Sequence, residues 1–220
     1  MYDLVFGPLM WLTTLIFIGG VGYRAYQLVQ LTKKKDRARC PATAIREDSP
    51  EERKFRPIVR LQNSVLGQHP IMAIVSFVFH VCLFAVPVLC LGHNETLYQF
   101  WGICFFSLPD ALINIMTIIV LVGGLFFFLR RMAVPRVRAV SSTYDHLILL
   151  ITIAPFMTGF FAYHQWGDPR TMIIIHALTG QLMLISIPFT KLGHMVFFFF
   201  ARCLLGSEFS FGRGAREWAT

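Results

Sequence analysis

The sequence predicts an all-α integral membrane protein: a bundle of five transmembrane helices forming a single domain over residues 1–220. Hydrophobic residues make up 55% of the chain and charged residues only 15%, whereas soluble domains average about a quarter charged residues. Its 22 phenylalanines exceed what one soluble core of this length needs. Side chains that face lipid do not contact water and can therefore be apolar, so a bilayer explains this composition.

Five apolar runs are long enough to cross a membrane, since a hydrocarbon core of about 30 Å requires roughly 20 apolar residues in a helix. They cover residues 4–31, 70–92, 109–129, 146–163 and 171–201. The first run is too long for the apolar part of a signal peptide and shows neither a basic leader nor an A-x-A cleavage site. We therefore expect it to be a helix of the mature chain, which is predicted to begin at Met1.

Lysine and arginine are concentrated in alternate connections, and such basic loops stay in the cytoplasm. Ten of them lie in the connection at about 32–68, which is predicted to be a basic cytoplasmic loop, and others lie within 130–138 and 202–216. The opposite side carries only Arg170, beside Asp168. The N-terminus is therefore predicted outside and the C-terminus inside. Topology and anionic lipid headgroups account for the net charge of +8, so no nucleic-acid partner is expected.

The five cysteines form neither a C-x-x-C nor a C-x-x-C-H pattern. This argues against covalent c-type haem, an iron–sulfur cluster or a zinc ribbon within the chain. We assign these cysteines no function.

Histidine is the residue type that indicates function. His80, His176 and His194 lie inside apolar runs, and His93 lies at the outer end of one. Ionisable residues at membrane depth are costly and usually functional, although a lone histidine can simply hydrogen-bond a neighbouring helix. Low-spin haem b takes two axial imidazoles from facing helices of a bundle. The four histidines therefore predict haem ligation.

The two histidines of the fifth run, His176 and His194, are 18 residues apart. In a continuous helix this spacing is five whole turns, with a rise of about 27 Å. Both imidazoles would leave one face at two depths, which suits two stacked, non-covalent haems b. His146 and His164, at opposite ends of the fourth run, are interpreted as interfacial.

The second run offers three candidates, and two criteria rank them differently. By helical phase, His69 and His80 point in directions that differ by only about 20° around the axis of an ideal helix. His93 and His80 point in directions that differ by about 140°. Pro87 lies between the latter two, and a proline kink changes that phase. By depth, His80 matches the inner histidine of the fifth run and His93 the outer one, while His69 lies at the membrane boundary.

Depth decides the pairing that we expect. His80 is predicted to pair with His194 around an inner haem, and His93 with His176 around an outer haem. His69 remains the reserve ligand.

Two segments resemble a known family. Residues 188–194, P-F-T-K-L-G-H, resemble the P-F-[ST]-[KR]-L-x-H motif in the last helix of nitrate reductase gamma subunits. Residues 79–80, F-H, followed by residues 92–93, G-H, resemble the F-H…G-H pair of their second helix, although the family spacing is shorter. The resemblance covers roughly residues 70–205.

Other segments are more similar to the cytochrome b subunits of sulfate-reducer complexes. These are D-A-L at 110–112, L-R-R at 129–131 with Pro135 and Arg138, and Y-D at 144–145. The short chain most resembles the membrane subunit of the Hmc-type complex, which contains a high-molecular-weight cytochrome c.

The resemblance implies an electron-transfer subunit of an oxidoreductase complex in the bacterial cytoplasmic (inner) membrane. Its partners would be a periplasmic multihaem cytochrome c, a cytoplasmic iron–sulfur subunit, other membrane subunits and membrane lipid, with menaquinone as a further cofactor. Lys191, one turn before His194, and Arg24, near the inner end of the first helix, are candidates to contact haem propionates or a quinone, and Asp145 is similar. The alternative for each is snorkelling to the interface.

A non-redox membrane scaffold or a small transporter is the alternative function. A transporter is expected to show charged residues near the midplane or interrupted helices in matching halves, and the sequence shows neither clearly. Gly19, Gly20 and Gly22 are interpreted as permitting close helix approach.

Overall fold

A computed structural model of the protein describes residues 2–35, 67, 69–195 and 197, with side chains described outside 31–35. Every regular element in these ranges is helical. Within the described residues, five helical spans are long and apolar enough to cross a membrane, as predicted, and they cover Tyr2–Gln30, Pro70–Leu89, Asp110–Ala133, Thr143–Tyr163 and Pro169–Phe189. The orientation of the helices stays a prediction. Most of the predicted basic loop at about 32–68 lies outside the described residues.

The chain divides into two compact units, one formed by residues 1–45 with 174–220 and the other by residues 46–173. The first contains helices α1 (Tyr2–Phe6) and α2 (Pro8–Lys35) and most of α8 (Pro169–Phe189), followed by a 3-10 turn at Lys191–Gly193. The second contains α3 (Pro70–Leu89), α4 (Leu91–Trp101), α5 (Asp110–Ala133), α6 (Pro135–Val140) and α7 (Thr143–Tyr163).

The core of the second unit is the packing of α5 between α3 and α7, each antiparallel to it. Two adjacent glycines of α5 make this packing possible. A Cβ on Gly123 would come within 2.8 Å of the Phe79 ring of α3, and a Cβ on Gly124 would overlap the Ile153 side chain of α7. The absence of a side chain at both positions therefore lets three helices approach closely.

The second predicted run, 70–92, is not one helix. α3 ends at Leu89, Cys90 is extended with ψ 131°, and a new helix begins at Leu91. His93 therefore lies on α4, and neither the phase nor the rise of a continuous helix relates it to the histidine of α3.

The fifth predicted run, 171–201, is also interrupted. α8 ends at Phe189, because Thr190 is extended (φ −122°, ψ −175°) and its hydroxyl accepts a hydrogen bond from the Leu192 N–H. His194 follows the 3-10 turn. The prediction that five whole turns of one helix separate His176 from His194 is therefore wrong, because the helix ends at Phe189, five residues before His194.

Candidate functional site

A basic pocket in the first unit brings together three residues that the sequence predicted to bind a cofactor, Arg24, Lys191 and His194. Its volume is about 300 Å³, and it is lined by Arg24, Gln27, Leu28, Pro188, Thr190, Lys191, Gly193, His194 and Phe197. All three predicted side chains are exposed enough to meet a ligand. With two cations and an imidazole, the pocket suits a ligand that carries an acidic group.

The break after α8 positions Arg24 in this pocket. The Leu192 N–H, which would reach the Pro188 carbonyl in a continuous helix, bonds the Thr190 hydroxyl instead at 3.2 Å. The Pro188 carbonyl accepts from Arg24 Nε at 3.0 Å. Gly20, one turn before Arg24, has no Cβ that would strike the Pro188 ring. The guanidinium is thus fixed by a contact between two distant parts of the sequence.

Backbone carbonyls set the tautomer of three predicted ligands. Nδ1 of His194 lies 2.7 Å from the Lys191 carbonyl oxygen, and Nδ1 of His80 lies 2.6 Å from that of Ser76. A carbonyl only accepts, so each Nδ1 carries the proton and each Nε2 carries the lone pair. Metal-ligating histidines commonly have this arrangement, in which a carbonyl orients the ring and makes the other nitrogen more basic.

The break at Cys90 provides a backbone hydrogen-bond acceptor for the His93 side chain. Because the helical ladder stops at Leu89, the carbonyl of Pro87 accepts from His93 Nδ1 at 3.0 Å. Burial lowers the pKa of His93 below its ordinary value, against the opposing effect of the Pro87 hydrogen bond. A neutral imidazole is the form that binds a metal.

The remaining predicted ligands are His176 and His69. His176 is half-buried on α8, and its backbone carbonyl accepts from the Thr179 hydroxyl at 3.0 Å. His69 is exposed at the N-terminus of α3 and forms no side-chain cap. Each predicted pair combines one histidine from each unit, and the pairing stays a prediction.

His146 and His164 differ from one another. Nε2 of His164 lies 3.2 Å from Asn114 Oδ1, and its ring packs with Phe160 and Trp166. This matches the aromatic belts found at membrane interfaces. His146 instead has Nδ1 2.9 Å from the Ser142 carbonyl and a buried Nε2 that has no hydrogen-bond partner among the described residues. It therefore shares the tautomer of the predicted ligands, which its place at a helix end did not indicate.

Asp145 acts as a helix cap. Its Oδ2 accepts from the N–H and the hydroxyl of Ser142, both at 2.9 Å, and its backbone carbonyl accepts from Arg131 at 2.7 Å. The carboxylate thus stabilises the start of α7, a role that the capping-box spacing of Ser142 and Asp145 indicates.

Within the described ranges, no three His, Cys, Asp or Glu side chains come together as a metal-binding group. Axial ligation of haem differs from such a site because two protein ligands are enough.

A protein of Nitratidesulfovibrio vulgaris strain Hildenborough is 34% identical to this chain over 216 residues, which are 97% of the chain and 96% of that protein. The chain belongs to the family of that protein. The relative carries only the name "Protein", so it adds no activity. No protein-family model matches the chain, and no solved structure matches it.

Proposed function

We propose that this protein is a di-haem cytochrome b subunit of a respiratory redox complex in the bacterial inner membrane. The observation that carries the proposal is the common state of three membrane-associated imidazoles. His80, His93 and His194 each direct Nδ1 to a backbone carbonyl, so Nε2 is the nitrogen through which each ring would bind a metal. His176 completes the set by its depth in the fifth helix.

The charges of the basic pocket suit the propionate end of a haem b, which has an apolar ring and two carboxylates. His194 would be an axial ligand there, and Arg24 and Lys191 would neutralise propionates. When bound, haem supplies a one-electron redox centre whose potential depends on its axial ligands, burial and nearby charge. The chain's own contribution is orientation, since the Lys191 carbonyl holds the His194 ring and the Pro188 carbonyl holds Arg24.

The proposed role is electron transfer across the bilayer. Electrons pass between a periplasmic multihaem cytochrome c or menaquinone on one side and cytoplasmic iron–sulfur subunits on the other. The resemblance to nitrate reductase gamma subunits and to the Hmc-type subunit supports these partners, as does the predicted orientation with a basic cytoplasmic face.

One observation favours the alternative of a transporter. Helices are interrupted at Cys90 and Thr190, and transporters bind ions at broken helices near the midplane. Both breaks, however, follow the ends of the candidate spans at Leu89 and Phe189. The breaks therefore do not lie near the midplane of a candidate span, where a transporter is expected to have them.

Haem content tests the proposal directly. The protein purified from a haem-replete host is expected to show a b-type spectrum, with about two haems per chain by pyridine haemochrome, as the two ligand pairs require. Acid–acetone is expected to extract all of them, since no covalent attachment motif is present. Absence of a Soret band would refute the redox function, and one haem per chain would refute the second site.

Single substitutions assign the ligands. His80→Ala and His194→Ala are expected to abolish the same low-spin signal in electron paramagnetic resonance, and His93→Ala and His176→Ala the other. Loss of a signal in a His69 variant but not in a His93 variant would show that helical phase was the better guide.

His164→Ala is the matched control, because its Nε2 is already bonded to Asn114. It should keep both signals.

Reconstitution tests the electron-transfer role. In liposomes containing the protein and its partner subunits, an external reductant is expected to reduce an internal acceptor. Haem reduction without delivery to the acceptor would exclude transfer across the membrane.

A further inference from the structure

A shallow apolar groove lies between α3 and α5 in the second unit, and its lining includes none of the predicted haem ligands. Its volume is about 370 Å³, and it is lined by Ile71, Met72, Phe126, Leu129, Arg130, Ala133 and Val134. Arg130 is the one charged residue of this lining, and the lining holds no acidic side chain. The groove therefore has an apolar floor and a cationic end.

Arg130 lacks the partner that its neighbour has. Arg131 donates to the Asp145 carbonyl at 2.7 Å. Arg130 as a residue is half-buried, and its guanidinium has no hydrogen bond or ion pair with any residue that the structure describes. A partly buried cation without a counter-charge is unfavourable. An anion supplied from outside the chain would remove this cost.

We propose that this groove binds one anionic phospholipid, with its phosphate on Arg130 and an acyl chain along the apolar floor. The guanidinium fork matches phosphate geometry and forms two parallel hydrogen bonds with it. Arg130 lies one turn before the end of the α5 span at Ala133, which is the depth of lipid headgroups. Basic pockets between transmembrane helices on the cytoplasmic side bind such headgroups.

Two exposed cations follow the groove, Arg136 and Arg138 on α6. They strengthen the local attraction for anionic lipid, but they do not line the groove. Lipid binding therefore combines one specific contact, at Arg130, with a weaker and non-specific attraction to Arg136 and Arg138. It does not depend on haem binding.

Native mass spectrometry of the delipidated, detergent-purified protein tests the proposal. Phosphatidylglycerol is expected to bind about tenfold more tightly than phosphatidylcholine with the same acyl chains, because the choline ammonium of phosphatidylcholine offsets the charge of its phosphate and would repel Arg130. Arg130→Gln should abolish this preference, and Arg130→Lys should retain part of it. Arg138→Gln removes the same charge from the same basic segment but lies outside the groove lining, so it should leave most of the preference in place.

The apolar floor is tested separately by Ala133→Leu, which narrows the groove without changing its charge. This variant should weaken phosphatidylglycerol binding severalfold.

Three results would overturn the proposal. These are equal binding of the two lipids, equal loss in the Arg130→Gln and Arg138→Gln variants, and displacement of bound phosphatidylglycerol by an equimolar naphthoquinone. The last would identify a quinone as the occupant.

Discussion

Replacing Gly20 by alanine is expected to separate α2 from α8 and to disturb the pocket around His194. An added Cβ would lie 2.8 Å from two carbons of the Pro188 ring and 3.5 Å from the Phe189 ring. Carbon atoms in ordinary contact are about 3.5 Å apart or more. Because a proline ring cannot rotate away, the two helices must move apart by about 0.7 Å to restore that distance.

This displacement has an energetic and a local consequence. Overpacking of this kind costs about 1–3 kcal/mol, while alanine in a helix is favoured over glycine by about 1 kcal/mol. The hydrogen bond between Arg24 Nε and the Pro188 carbonyl, now 3.0 Å, would lengthen beyond its effective range. The variant should therefore lose stability and release Arg24 from the pocket.

Gly22→Ala is the matched control, because a Cβ at that position meets no atom within 4 Å. Unfolding of both variants by SDS in mixed micelles, followed by circular dichroism, gives their free energies of unfolding. We expect Gly20→Ala to be less stable than Gly22→Ala by about 1–3 kcal/mol, the steric cost alone. Equal stabilities would refute the close approach of Gly20 to Pro188.

Two further substitutions test contacts at the predicted outer side. Asn94→Ala should cost about 1–3 kcal/mol, because Asn94 is 1% exposed and its amide donates to Ser107 Oγ at 2.8 Å; amide exchange in residues 102–108 should rise, and unchanged exchange would contradict this. Thr171→Ala should raise the pKa of Asp168. Hydrogen bonds from the Thr171 hydroxyl and N–H to the Asp168 carboxylate now hold this pKa below its ordinary value. The ionised Asp168 carboxylate accordingly stabilises the start of α8 fully at pH values above the ordinary aspartate pKa. This stabilisation is lost as the pH falls through the lowered pKa of Asp168 in the folded protein. An NMR titration of the carboxyl carbon checks this, and an identical pKa in both proteins would disprove the role of the hydroxyl.

The membrane class and the spans were predictable because they depend on local composition. An apolar run of about 20 residues has no stable alternative in lipid to a helix that satisfies its own backbone. The third run, predicted at 109–129, is the helix Asp110–Ala133, and the fourth, predicted at 146–163, is Thr143–Tyr163. Boundaries shifted because polar residues at the membrane surface continue a helix without an apolar signal.

The helix breaks were not predictable from the prolines. α3 ends two residues after Pro87 and α8 one residue after Pro188, whereas α7 continues for eight residues beyond Pro155. Proline removes one N–H in every case. Whether a helix then stops depends on which groups bond the freed backbone, and these come from elsewhere in the fold.

The sequence alone determined that the protein is an α-helical membrane protein with histidines in and beside its spans. The tertiary structure decided which glycine admits a neighbouring helix, and that Arg24 meets Lys191 and His194. Arg24 and Pro188 are 164 residues apart in the chain. Spacing places a residue along its own helix, but the approach and rotation of a second helix follow from side-chain packing that no single segment encodes.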